Sequence, residues 1–260
     1  MENLFSRVSA LIVVSAVAAA TSGWAQGAPA KSAQPFGDIR PMVHFESVND
    51  GEPWGDRLSV PRRLAATVVA ADNPSPKLIT DVGSHQGEFL EAFMQEFPTA
   101  KGQWTEPVEK SHKNALLRLG RFGHRVSYVI GCGARDISLG CVSKGTDVLI
   151  TSWLSIHQDL PGIQKFYKEA ADMLPSGGWV ANIDHVRSEN PVWSKRFAAA
   201  RQDATKKGLT SNTEGPGVHH ADFVTPTLDD QIAALKAAGI DDVQVVWREY
   251  DTVLIMGRKR

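Results

Sequence analysis

Apolar and polar positions alternate in a regular way along the chain from residue 77 onward. Short apolar runs are followed by segments in which apolar residues recur every three or four positions, a pattern typical of strands followed by helices. The predicted strands are 78–82, 103–105, 125–130, 146–152 and 179–183, and the predicted helices between them are 88–97, 108–119 and 163–174. Strands that alternate with helices at this spacing predict a parallel sheet with helices on both faces.

The last third of the chain departs from this alternation. A helix is predicted over 191–207, and a loop over 208–226 connects it to a second helix over 227–239. Thr227 and Asp230 have the spacing of a capping box at the start of the second helix. Two further strands, 243–249 and 252–258, are separated by only two residues and therefore predict a β-hairpin. The expected fold class is α/β, a mostly parallel sheet that ends in a C-terminal antiparallel hairpin.

The first 25 residues have the pattern of a secretory leader. An apolar run of 13 residues ends at Ala20, and the small residues Gly23 and Ala25 follow it. The run is shorter than the stretch of about 20 residues that a membrane-spanning helix needs. We therefore expect cleavage near Gln26, export to a periplasmic or external compartment, and no stable membrane insertion afterwards. The location would be cytoplasmic if the leader does not function.

The remainder of the chain predicts one domain behind a short linker. We expect a linker over 26–38 and a single domain over 39–260. Within that domain, a cap segment covers 39–76 and a core of alternating strands and helices covers 77–260. In the cap segment, a helix is predicted to begin with Ser59 as its N-cap and Pro61 in its first turn.

Composition and charge narrow the range of functions. The 260 residues are 42% hydrophobic and 22% charged, as in ordinary globular domains. With 28 basic and 29 acidic side chains, the chain lacks the basic excess that binding to a nucleic acid needs. Cys132 and Cys141 are either two small apolar side chains, which is the favoured interpretation, or one disulfide. No metal-binding motif occurs, and we predict no metal.

Chemistry-bearing residues follow the predicted strands at their carboxyl ends, where open parallel sheets bind ligands. Asp81 ends the first strand region, and Gly83 and Gly87 allow the following backbone to pass close to a ligand at a helix N-terminus. Glu106 follows the second strand, and a carboxylate there can accept both hydroxyl protons of a ribose diol.

The next two strands add candidate contacts for a nucleoside. Asp136 follows the third strand and could accept the amino group of adenine, while the neighbouring Ile137 could cover the face of the ring. Ser152 and Trp153 follow the fourth strand. Together with the glycine turn and Glu106, these residues predict a nucleoside ligand with a free ribose diol.

The order of these segments resembles that of the class I S-adenosylmethionine-dependent methyltransferases. The resemblance rests on the segments DVGSHQGEF, WTEP, RDI, TDVLITSWLSIHQ and MLPSGGWV, within residues 77–260. It implies a Rossmann-like fold, S-adenosyl-L-methionine as the cofactor and a small-molecule acceptor. The cofactor contacts that it implies are Asp81, Gly83, His85, Gly87, Glu106, Asp136, Ile137, Ser152 and Trp153. His85 stands where many family members carry another glycine, so its side chain would crowd or hydrogen-bond the amino-acid end of the cofactor.

Three histidines are candidates for handling a proton during catalysis. His157 and His185 follow the fourth and fifth strands and should face the cleft, while His220 lies in the late loop, which could close as a lid. His157 and His220 are the favoured bases. The aromatic residues expected to line the acceptor pocket are Trp54, Trp153, Trp193 and Phe223.

Two alternative functions stay open. A nicotinamide-dependent oxidoreductase would also use a glycine turn and an acid after the second strand, although its usual GxGxxG pattern is absent. An exported, methyltransferase-like binding protein without catalysis would explain a leader on a chain whose implied cofactor is made in the cytoplasm.

Overall fold

The computed structural model describes residues 54–207 and 224–260, apart from the side chains of residues 54–57 and 205. The predicted leader, the linker, the first part of the cap segment and His220 lie outside the described residues. Within the described ranges, no helix is both long enough and apolar enough to cross a membrane.

A helix of 19 residues, α1 (Trp54–Asp72), precedes the sheet. The expected start at Ser59 is wrong, because the helix begins five residues earlier and contains Pro61 in its interior. Proline removes one backbone hydrogen bond from a helix, but α1 is also stabilised by packing of its apolar face. The fully buried side chains of that face are Leu58, Ala65, Ala66 and Val69.

The rest of the described chain alternates strands and helices and then ends in a hairpin. The strands are β1 (Leu78–Val82), β2 (Lys101–Glu106), β3 (Val126–Ile130), β4 (Val148–Ser152), β5 (Trp179–His185), β6 (Ile240–Glu249) and β7 (Thr252–Lys259). The helices are α2 (Glu88–Glu96), α3 (Glu109–Leu119), α4 (Leu154–His157), α5 (Leu160–Met173), α6 (Pro191–Lys206) and α7 (Leu228–Ala237). Two short 3-10 helices cover Gly120–Arg125 and Ile137–Leu139.

The seven strands form one sheet in the order β3-β2-β1-β4-β5-β7-β6. Strands β1 to β5 are parallel, while β7 runs antiparallel to both β5 and β6. The α/β fold class, with its mostly parallel sheet and C-terminal antiparallel hairpin, is confirmed. The carboxyl ends of the parallel strands lie at one edge, so the loops that carry the predicted site residues meet there.

Apolar side chains cover both faces of the sheet. On one face α1, α2 and α3 pack around fully buried residues such as Phe93 and Trp104. On the other face α5 and α7 pack around Phe166 and Tyr167. Burial of each such large side chain stabilises the fold by about 1.5–3 kcal/mol relative to leaving it exposed.

Side-chain caps fix the starts of two helices. The predicted capping box of α7 is confirmed, because Thr227 Oγ1 accepts the N–H of Asp230 at 3.1 Å and Asp230 Oδ2 accepts the N–H of Thr227 at 2.9 Å. Helix α5 begins three residues before the predicted start, at Leu160, because Asp159 caps it by accepting the N–H of Gly162 at 3.0 Å.

Candidate functional site

The turn between β1 and α2 brings the backbone close to the edge of the sheet. Three of its residues have positive φ angles: Gly83 at 65°, His85 at 52° and Gly87 at 84°. At Gly87 a side chain would also collide, since an added Cβ would lie 2.7 Å from Leu119 Cδ1. His85 adopts this backbone conformation despite its Cβ. Its N–H donates to Glu106 Oε2 at 2.8 Å and its carbonyl accepts from Trp104 Nε1 at 3.1 Å, so the neighbouring strand holds the turn in place.

Asp81 braces the same turn from within the protein. Its side chain is almost completely buried, and Oδ2 accepts hydrogen bonds from Ser84 Oγ and from the N–H of Leu90. Burial raises the pKa of Asp81 to about 7, although both hydrogen bonds act to lower it. The carboxyl group is therefore occupied inside the turn, and its burial favours a supporting role over the expected direct contact with the cofactor.

Glu106, at the end of β2, is the best-positioned acid at this edge. Besides the bond from His85, its Oε1 accepts the N–H of Val108 at 3.1 Å. Two backbone donors thus fix the carboxylate, one on each oxygen. Val108 is 53% exposed and supplies apolar surface beside this carboxylate, a feature that the sequence analysis did not identify.

The loop after β3 contains a disulfide and a buried isoleucine. Cys132 and Cys141 form a disulfide with Cα atoms 5.9 Å apart, so the favoured interpretation of two free apolar side chains is wrong. Ile137 is fully buried in the core cluster under α5, and its contact with an adenine ring stays a prediction. Asp136 is partly exposed, and its Oδ2 accepts the N–H of Gly133 at 2.9 Å.

Trp153 and His185 come together at the ends of β4 and β5. Trp153 follows Ser152, the partly buried last residue of β4, and has a positive φ of 63°. Its N–H donates to the carbonyl of Ile183 at 2.8 Å. The rings of Trp153 and His185 lie with centroids 4.6 Å apart, and His185 Nδ1 is 3.3 Å from Thr252 Oγ1.

His157 lies elsewhere at this edge. It ends the short helix α4, its side chain is exposed, and its carbonyl accepts a hydrogen bond from the guanidinium of Arg135 in the loop after β3. His157 is therefore next to the β3 loop, whereas His185 is next to β7. His220, the other favoured base, lies outside the described residues.

A buried polar network supports the ends of β4 and β5. Asp184 is fully buried and accepts hydrogen bonds from Ser155 Oγ at 2.6 Å, from Gln231 Nε2 at 2.8 Å and from the N–H of His185 at 2.8 Å. Burial raises the pKa of Asp184, while these hydrogen bonds act to lower it. The network joins α4, β5 and α7. The sequence analysis did not identify this anchoring role of Asp184.

Among the buried donors that lack hydrogen-bond partners in the described residues are those of Arg62 and Gln158, and sequence reasoning identified neither residue. Arg62 on α1 is 7% exposed, and neither its Nε nor its Nη1 makes a hydrogen bond there. It interacts electrostatically with Glu88 at the start of α2 and with Asp81. Gln158 is 4% exposed, its Nε2 makes no hydrogen bond, and it lines a cavity of about 380 Å³ between the β3 loop and α5.

A larger cleft of about 460 Å³ lies beyond the end of β5. Its lining residues are His185, Val186, Arg187, Ser188, Ser194, Phe197, Ala198, Arg201, Val224, Thr225 and Asp251. Trp153 and Trp193 were expected to line the acceptor pocket but are not part of this lining; Trp193 instead packs against Phe197. The side chain of Trp54 and all of Phe223 lie outside what is described.

Comparison with known proteins gives matches at the level of structure. No protein-family model and no curated protein matches the chain. An O-methyltransferase family protein from Burkholderia thailandensis superposes with a TM-score of 0.59 at 14% identity, covering 84% of this chain and 61% of that one. Human N-acetylserotonin methyltransferase in complex with SAM superposes with a TM-score of 0.54 at 16% identity, covering 85% of this chain and 60% of that one.

A possible exported protein from Bordetella parapertussis is also similar, with a TM-score of 0.58 at 15% identity, covering 76% of this chain and 67% of that one. The chain thus spans about three fifths to two thirds of the length of these three neighbours. At such identities the similarity concerns architecture alone. The described chain has the fold of the class I S-adenosylmethionine-dependent methyltransferases.

Proposed function

We propose that the protein transfers a methyl group from S-adenosylmethionine to a small organic acceptor. The observation that carries the proposal is Glu106, whose carboxylate is fixed by the N–H groups of His85 and Val108 where β1 and β2 end. A carboxylate offers about four acceptor positions, more than the two that these backbone donors use. Two hydroxyl groups on adjacent ribose carbons would donate to this carboxylate.

The unpartnered donors support the same ligand at its two ends. Arg62, near Glu88 and Asp81, would pair with the carboxylate at the amino-acid end of the cofactor, because a buried guanidinium without a partner is costly. Gln158 would donate to a ring nitrogen at the base end. Glu106 lies on the strand between these two regions, as the ribose lies between the two ends of S-adenosylmethionine.

The chemistry divides between the cofactor and the protein. When bound, the cofactor supplies an electrophilic methyl group on a sulfonium, so the acceptor's lone pair forms the new bond while the electrons of the broken carbon–sulfur bond return to sulfur. The protein aligns the acceptor and receives its proton. We assign the proton to His185, because His185 lines the larger cleft and His157 does not. Since Nδ1 is near Thr252 Oγ1, Nε2 would be the accepting atom.

Export, which the alternative of a non-catalytic binding protein also assumes, is supported by one structural observation. The Cys132–Cys141 disulfide is of the kind that persists in oxidising compartments outside the cytoplasm. It agrees with the predicted leader and with the similarity to a possible exported protein from Bordetella parapertussis. We therefore propose export to an oxidising compartment, with the cofactor bound before export or supplied there. A nicotinamide cofactor receives no comparable support.

Calorimetric titration with S-adenosylhomocysteine, the demethylated cofactor, tests the proposal. Replacing Glu106 by Ala should weaken binding by about 1.5–3 kcal/mol, the range for a hydrogen bond to a charged group. Glu106→Gln should lose less binding free energy than Glu106→Ala, because the amide oxygen of Gln can still accept one backbone hydrogen bond. Glu109→Gln, an exposed change three residues along the chain, is the matched control and should bind as wild type does.

Well-folded wild-type protein that binds no S-adenosylhomocysteine would refute the proposal. Binding of reduced nicotinamide dinucleotide in its place would establish the oxidoreductase alternative. Tight binding of S-adenosylhomocysteine without turnover of any small hydroxylated acceptor would establish the binding protein.

A further inference from the structure

The larger cleft has a charge balance that restricts what it can bind. Two guanidinium groups line it, those of Arg187 and Arg201, and Asp251 is the one carboxylate in the described lining. Asp251 forms an ion pair with Arg201. Their charges cancel, which leaves the cationic Arg187 unbalanced within the lining.

Arg187 is held at the wall of the cleft by its backbone and by one side-chain bond. Its N–H donates to the carbonyl of Pro226 at 2.8 Å, and its Nε donates to the carbonyl of Thr225 at 3.3 Å. The two terminal nitrogens have no hydrogen-bond partner among the described residues. Outside the lining, Arg187 contributes to lowering the pKa of Asp230, but that carboxylate is engaged with Thr227 in the capping box of α7.

The start of α6 adds to the positive potential. Helix α6 begins at Pro191, and Ser194 in its first turn lines the cleft. The N-terminal end of a helix carries a partial positive charge from its backbone N–H groups. The apolar part of the wall includes Phe197, Val186 and Ala198. A ligand suited to this cleft has an apolar body and one anionic group.

Resting on the methyl-transfer function above, we propose that the acceptor is a small aromatic carboxylate, with its ring against Phe197 and its carboxylate on Arg187. The cleft volume of about 460 Å³ is in the usual range for a small-molecule site. The acceptor's reacting hydroxyl then lies toward His185, which connects this cleft to Trp153 through the ring contact at 4.6 Å. Arg187 determines specificity and takes no part in the transfer itself.

The test compares two probes that differ in one charge, 4-hydroxybenzoate and its neutral amide, 4-hydroxybenzamide. Each is titrated into the full chain in the presence and in the absence of S-adenosylhomocysteine. Wild type should bind the carboxylate about tenfold more tightly than the amide, the lower end of the range for a charge-assisted hydrogen bond at an exposed group. The preference should weaken with added salt, because Arg187 is exposed.

Three variants localise the effect. Arg187→Gln should reduce the preference to within about twofold, whereas Arg196→Gln, a control on α6 that stacks on Trp193 and does not line the cleft, should preserve it. Asp251→Asn should strengthen binding of the carboxylate by severalfold, since it removes the charge that balances Arg201.

The outcomes separate this inference from the proposed function. Failure of the protein to bind S-adenosylhomocysteine would bear on methyl transfer alone. The preference for the carboxylate over the amide is measured separately, in the titrations that contain no S-adenosylhomocysteine. Equal binding of the two probes, no binding of either, or an unchanged preference in Arg187→Gln would overturn the assignment of an anionic acceptor.

Discussion

Replacing Asp81 by Asn should change how stability depends on pH. The carboxyl group is buried, and burial raises its pKa from an ordinary value of 3.8 to about 7. Asn has nearly the shape of a protonated Asp and can still accept the N–H of Leu90 and interact with Ser84. The substitution therefore removes the ionisation while preserving most of the packing.

The sign follows from proton binding in the two states. Between pH 3.8 and about 7 the folded protein holds the Asp81 proton and the unfolded chain does not, so this residue makes stability fall as pH rises. The folded and unfolded pKa values of Asp81 differ by about three. At about 1.36 kcal/mol for each pKa unit, this difference corresponds to about 4 kcal/mol in the free energy of unfolding. Asp81→Asn should thus match wild type near pH 4 and be more stable by about 2–4 kcal/mol at pH 8.

Urea denaturation at a series of pH values measures this difference directly. Asp230→Asn is a control of opposite sign, because hydrogen bonds from Thr227 lower the pKa of Asp230. The Asp230 carboxylate stabilises the fold at pH values above its pKa in the unfolded chain, and this stabilisation is lost as the pH falls through its lower folded-state pKa. Asp230→Asn should therefore be less stable than wild type at neutral pH and equally stable in acid. If Asp81→Asn is less stable than wild type at pH 8, Asp81 is ionised and stabilising, and the reasoning fails.

Three further predictions concern the loop after β3, the start of α7 and the N-terminus. Replacing both Cys132 and Cys141 by Ser should lower the free energy of unfolding by about 2–3 kcal/mol, the loop-closure value for a separation of nine residues; urea curves that coincide with wild type would contradict it. Thr227→Ala should cost about 1 kcal/mol in thermal denaturation through loss of the cap, and Thr227→Ser should recover most of it. Mass spectrometry of protein from its native host should find an N-terminus near Gln26, and an intact Met1 in a cytoplasmic fraction would count against export.

The sequence by itself determined the local elements and the kind of sheet. Apolar periodicity is set by which face of an element is buried, so β1, α2 and the C-terminal hairpin could be predicted to within a few residues. The glycine turn and Glu106 were predictable for a similar reason, because backbone conformation and the position after a strand depend on neighbouring residues. The start of α1 was missed, because packing of its apolar face outweighed the local signal of Pro61.

Only the tertiary structure decided which distant residues meet. Strand β7 lies between β5 and β6, an order that no local pattern specifies. Asp184 meets Ser155 and Gln231 across 29 and 47 positions of the chain, and the apolar Ile137 is buried in the core. Arg62 likewise became a candidate only when its burial left its donors without partners. Burial and hydrogen-bond satisfaction depend on the whole packing arrangement, whereas the hydrophobic pattern records only which face of each element is covered.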